Sequence, residues 1–292
     1  MHPKFFSEFP AYSSAPYRFM DILAKNIGCH DPFFIDRSLV DFLYRINRSE
    51  TIKPPFDPVK VATRLHMEVS YDDFPKTFGY LNPPKHNSSD SFKITVNKRL
   101  EKTERDFTVA HETSERLIGF DENGGLQMVN CSSIFEREAK EKTCDKIARE
   151  ITMPSPVIEH DASRIKHVSL NSFQKLANFY EVPLSQMIKK VTDDLSLLEV
   201  ALMVKEDNKM YGSEKILIEN ENIPICQLEC RECKDRIDEI KRKTISRVLE
   251  RIKSGEKIEG VIIEGWKEKP LPEDERSYWI AYKPRGRQKT LI

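Results

Sequence analysis

No run of about 18 apolar residues occurs in this sequence, so no segment reads as a membrane-spanning helix. The opening stretch, MHPKFFSEFPAYSSAPYRFMDIL, lacks the basic start, long apolar core and small-residue cleavage site of a secretory signal. An excess of either charge is missing too. The 47 Lys and Arg residues balance 47 Asp and Glu, which removes the bulk electrostatic case for a nucleic-acid or membrane partner. Cysteine is scarce: six in 292 residues, at Cys29, Cys131, Cys144, Cys226, Cys230 and Cys233. That is too few for a disulfide scaffold and points to free thiols in a reducing cytoplasm. Internal repeats and low-complexity tracts are absent. What is present is a globular composition, 39% hydrophobic and 32% charged, long enough for one large domain or two modest ones.

The pattern along the chain predicts an α+β protein in three parts. Residues 1–50 form an N-terminal helical extension, residues 51–195 the main domain, and residues 196–292 a small C-terminal α/β domain. Pro54-Pro55 breaks the chain before Asp57-Pro58, a carboxylate N-cap followed by proline at the first helical position. Met67 to Tyr71 and Phe92 to Val96 read as strands. Two long helices are expected, from about Glu104 to Ile118 and from about Ile134 to Met153, the second stopped by Pro154 and Pro156. A helical pair follows over residues 169–191, turning at Pro183.

The chemistry-bearing segment is RDFTVAHETSERLIGF, residues 105–120. On a helix His111 and Glu115 share one face, with Glu112 beside them. Metallopeptidase helices of the HExxH type bind zinc through two histidines at this spacing and use the intervening glutamate as general base. Here the second histidine is Glu115, so the motif reads HExxE, a short pattern that also arises on solvated helices. The context strengthens it. EKTCDKIAREITMP, residues 141–154, places Glu141 on a second helix, where a two-helix metal site needs a third protein ligand. Asp145, one turn on, shares its face and is placed to orient a ligand from behind.

These segments together resemble the ImmA/IrrE family of metallo-endopeptidases, gluzincin-type enzymes of bacteria, mobile elements and phages. FDPVKVATRLHMEV resembles the family's opening helix and strand, and SFKITVNKRLEKTERDFTVAHE its strand and ligand-bearing helix. EKTCDKIAREITMP follows the family's ExxAN-x-FA-x-ELLMP segment in register, with Cys144-Asp145 in place of Ala-Asn, and VSLNSFQKLANFYEVPLSQMIKKV resembles the helical pair that follows. The likeness spans about residues 55–192. It implies a metallopeptidase core, with His111 and Glu141 as metal ligands, Glu115 at the second-histidine position and Glu112 as general base toward a metal-activated water. It also implies narrow specificity, with a helix-turn-helix transcriptional repressor as the protein substrate. One nitrogen and two carboxylates make a harder donor set than the family's, which keeps zinc as the expected ion and moves preference toward manganese. The departure at Glu115 leaves a second reading open: an inactive peptidase fold that serves as a sensor or protein-binding module.

Two weaker signals remain. The helical pair has helix-turn-helix spacing, yet its second helix opens on Pro183-Leu184-Ser185-Gln186, without the basic residues that a DNA reader places there. Direct DNA binding is therefore not expected. Cys226, Cys230 and Cys233, spaced C-x3-C-x2-C, form a candidate second metal site if that stretch is helical and a fourth ligand comes from elsewhere; three thiols on one face are equally a piece of core.

Overall fold

The computed structural model describes residues 15–29, 35–46, 55–84, 91–120, 134–165, 168–195, 200–204, 209–212, 262–272 and 274–282, with isolated positions at 247, 250, 251 and 254. The C-terminal cysteine cluster of Cys226, Cys230 and Cys233 lies outside the described residues. The elements are mixed helix and small sheets, an α+β protein, in two compact units: Met1–Val157 with Asn178–Pro183, and Ile158–Ala177 with Leu184–Ile292.

The first unit begins with α1 (Ala15–Ile27), α2 (Ile35–Ile46) and the short α3 (Pro58–Arg64). Asp57 caps α3 by accepting from the Val59 and Lys60 amides at 3.0 and 3.3 Å, with Pro58 at the first helical position. The helix ends at Arg64, and His66, with a left-handed backbone of φ 58°, turns the chain into the first strand. A three-stranded sheet follows in the order β1-β3-β2, from β1 (Met67–Asp72), β2 (Gly79–Asn82) and β3 (Phe92–Asn97). β1 runs parallel to β3 with Met67 opposite Phe92, and β2 runs antiparallel with Gly79 opposite Val96, which leaves β2 at an edge. Buried Asn97 ties the intervening loop to the sheet: its side-chain amide donates to the Phe74 and Thr77 carbonyls at 2.6 and 3.0 Å, and its oxygen accepts from the Arg99 amide. Those bonds fix where the edge strand starts.

Two long helices complete this unit, α4 (Lys102–Gly119) and α5 (Ile134–Thr152). Their apolar stripes (Phe107, Ala110, Leu117 and Ile118; Ala139, Ile147, Ala148 and Ile151) meet Leu23 and Ile27 of α1, Leu39 and Leu43 of α2 and Val61 of α3 in one core. The N-terminal helices are therefore part of the core that carries the long helices. Asn26 makes the join specific, because its amide donates to the carbonyls of Leu117 and Phe120 at 2.6 and 2.7 Å, satisfying acceptors at the end of α4. α6 (Ser155–Ser163) starts where Glu150 accepts from the Ser155 amide and hydroxyl, two bonds that turn the chain directly out of α5 after Pro154.

The second unit carries α7 (Leu170–Tyr180), α8 (Leu184–Lys189), a π-helical turn (Lys190–Asp194) and a four-stranded antiparallel sheet. The sheet comprises β4 (Val200–Val204), β5 (Lys209–Gly212), β6 (Ile262–Leu271) and β7 (Asp274–Tyr282), ordered β5-β4-β7-β6. Two carboxylates of β6, four residues apart on the same face, cap the helical pair. Glu264 accepts from the Leu170 amide at 2.8 Å, and Glu268 accepts from the Ser185 amide and hydroxyl at 2.9 and 2.8 Å.

Candidate metal centre

α4 and α5 run antiparallel, since His111 meets Asp145 and Glu141 while the later Glu115 meets the earlier Lys140. α4 buries hydroxyl side chains as well as apolar ones. The hydroxyls of Thr108, Thr113 and Ser114 donate to the carbonyls of Glu104, Val109 and Ala110, so the helix buries them without orphaned donors. That permits buried Glu112 to sit among them, one residue after His111.

The imidazole of His111 is held from both sides. Asp145 Oδ1 lies 3.0 Å from Nδ1, and Glu141 Oε2 lies 3.3 Å from Nε2. A carboxylate behind Nδ1 fixes a proton there and leaves Nε2 as the nitrogen that an ion would take in exchange for its own proton. Two ligands at ordinary zinc distances on one tetrahedral ion sit about 3.3–3.4 Å apart. The Nε2–Oε2 spacing fits that requirement. Burial alone would lower the pKa of His111, but the hydrogen bonds to Asp145 and Glu141 outweigh it and hold the metal-free imidazole up at about 10. The bond from His111 in turn lowers the Glu141 carboxylate, against the opposing effect of burial. Burial pushes Glu112 up to about 7, with His111 opposing and Glu115 adding to the rise.

Glu115 faces differently from Glu141. Its Oε1 accepts a short hydrogen bond from the Lys140 ammonium, and both side chains are mostly buried. Burial depresses Lys140, and the bond to Glu115 more than reverses this, so its pKa lies above the usual value. Cys144, one helical turn from Lys140, is fully buried, and its Sγ belongs with His111 and Glu115 to a group whose donor atoms all lie within 4.8 Å of one another. These three residues could hold a metal ion. Burial raises the Cys144 thiol well above its ordinary range, which keeps it neutral and makes it the weakest donor of the set in the metal-free protein.

The edge strand reaches the same place. A Cβ added at Gly79 would stand 2.6 Å from Thr108 Cγ2 and 3.7 Å from Glu112 Oε1. Glycine is what lets β2 run this close to the base-bearing turn of α4.

The structure thus brings together every residue proposed from the sequence in this unit: His111, Glu112, Glu115, Glu141 and Asp145. It adds three that the sequence did not single out: Lys140, Cys144 and Gly79. A buried anion in place of a neutral histidine requires a counter-charge, but Lys140 and Lys142 both lay near enough in sequence to supply it, and only the helix packing selects Lys140. His160 is exposed and pairs with Asp161 on its own helix, while His167 lies outside the described residues.

Comparison with known proteins agrees with the geometry. The sequence model of the IrrE N-terminal-like domain matches residues 65–192, a span that takes in β1 to β3, both long helices and the helical pair. No curated protein matches the chain. Among solved structures, a Mycobacterium tuberculosis transcriptional regulator superposes with a TM-score of 0.51 at 10% identity, covering 91% of this chain and 81% of that one, a likeness of fold. The family model thus falls on the segment that carries His111, Glu112 and Glu141, and residues 65–192 form an IrrE N-terminal-like domain.

Proposed function

We propose that the protein is a metal-dependent endopeptidase of narrow specificity, with Glu112 as general base. The observation that carries this reading is His111, braced at Nδ1 by Asp145, with Nε2 at ligand–ligand distance from Glu141 and Glu112 buried on the adjacent position. His111 and Glu141 would hold the ion, with Glu115 or Cys144 as further donors. Zinc suits this set, and the carboxylates extend it to manganese. A divalent ion there supplies Lewis-acid polarisation of a peptide carbonyl and acidifies water. Glu112 would take a proton from that water and return it to the departing amine. β2, an edge strand among the described residues, passes beside Glu112 and would offer main-chain hydrogen bonds to an extended peptide.

The substrate we propose is a transcriptional repressor, following from the family rather than from any contact within this chain. Direct reading of DNA by the helical pair is disfavoured by two features. Glu268 takes up the Ser185 amide in the first turn of α8, where a recognition helix would present donors to DNA, and Lys190 is buried and paired with Asp194. The pairing of Glu115 with Lys140 supports a second reading, an inactive peptidase fold that senses or binds a partner. The two separate in one experiment. Purified protein loaded with zinc or manganese is incubated with a proteome-derived peptide library and with whole helix-turn-helix repressors, and new N-termini are read by mass spectrometry. Cleavage at a restricted set of sequences, abolished by chelator and restored by the ion, is the expected result. Unchanged peptides in every ion, alongside retained binding of a repressor, would establish the second reading instead.

A further inference from the structure

Glu115 stands where the family places a neutral histidine, and the fold gives it a cation of its own. Lys140 projects from α5 beside Glu141, only 12% of its side chain exposed, and its ammonium is bonded to the Glu115 carboxylate. Cys144 Sγ lies within 4.8 Å of the nearest Glu115 donor atom, and burial raises its thiol well above the ordinary range. A divalent ion seated between His111 Nε2 and Glu141 would therefore meet a third ligand, Glu115, already bound to a positive charge, in a setting too buried for water to screen the repulsion.

We propose that Lys140 is an internal competitor for the metal: its ammonium occupies Glu115 in the metal-free protein and lowers the affinity of the site for a divalent cation. This rests on reading His111 and Glu141 as metal ligands. The opposite role is a supporting one, in which Lys140 orients Glu115 as a ligand and its loss weakens the site. The two roles predict changes of opposite sign. Competition between two cations for one carboxylate is a coupling between binding events, and couplings of this type amount to roughly 5- to 150-fold in affinity.

The test is a titration of the metal-free, full-length protein with zinc and separately with manganese, by calorimetry or against a competing chelator dye. It compares wild type, Lys140→Met, Lys140→Gln, and each combined with Glu115→Gln. Thermal unfolding of the metal-free variants verifies that they are folded, and Lys140→Gln serves if Lys140→Met is not. The proposal expects the Lys140 variants to bind tenfold or more tightly than wild type. It also expects that gain to disappear when Glu115→Gln is added, while Glu115→Gln alone changes wild-type affinity little, because Lys140 already holds that carboxylate. Unchanged or weakened binding in the Lys140 variants overturns the proposal. If that binding still vanishes with His111→Ala, the metal reading stands without it. If no protein in the series binds either ion, both fall together.

Discussion

Replacing Glu112 by Gln is expected to reduce kcat by about 100- to 10,000-fold, the usual contribution of a positioned general base, while metal content stays at the wild-type level. The substitution keeps the volume of a side chain that is 7% exposed and removes only its ability to accept a proton. Glu112 lies beside the proposed ligands and the edge strand but is not required to hold the ion, so its loss reaches the proton-transfer step alone. The measurement is steady-state cleavage of the preferred library sequence, with metal quantified in the same preparations. Equal turnover in wild type and variant would remove Glu112 from the chemistry. A parallel loss of metal would make it a ligand instead of a base.

The second large effect concerns a residue that would not touch the ion. Asp145→Ala is expected to weaken zinc affinity by about 10- to 100-fold, the range found when the carboxylate behind a ligating histidine is removed. Asp145 lies 3.0 Å from Nδ1 of His111, on the ring edge opposite the one that faces Glu141. Without it the imidazole loses the partner that selects its tautomer and its orientation, although His111, Glu141 and Glu112 all remain. The same titration that compares the Lys140 variants measures this. The two substitutions are predicted to act in opposite directions although their residues lie on the same helix, Lys140→Met tightening and Asp145→Ala loosening the site. A shared structural disturbance of α5 would move both the same way.

Much of this site was legible in the sequence because helices convert spacing into geometry. His111 and Glu115, four apart, and Glu141 and Asp145, four apart, had to share faces, and the family resemblance set the two helices against each other. The same spacing could not reveal which charged neighbour turns inward. Lys140 and Lys142 differ by two positions, and packing of Ala139, Ile147 and Ala148 into the core rotates α5 so that Lys140 faces Glu115. The participation of α1 and α2 in the main core was likewise hidden, because Asn26 reaches the end of α4 across more than ninety residues of sequence. Gly79 shows the limit most clearly: a single glycine in a short strand acquires meaning only when Thr108 and Glu112 are found against it. β6 runs over Ile262–Leu271, and that length is what carries Glu264 and Glu268 to the helical pair.

The central claim is that His111 anchors a metal site. Elemental analysis of protein purified without chelator and then offered zinc or manganese, wild type beside His111→Ala, tests it most directly. The account predicts close to one His111-dependent equivalent of ion in the wild type and its loss in the variant. Wild type that takes up no ion, or an ion that His111→Ala retains in full, would contradict it.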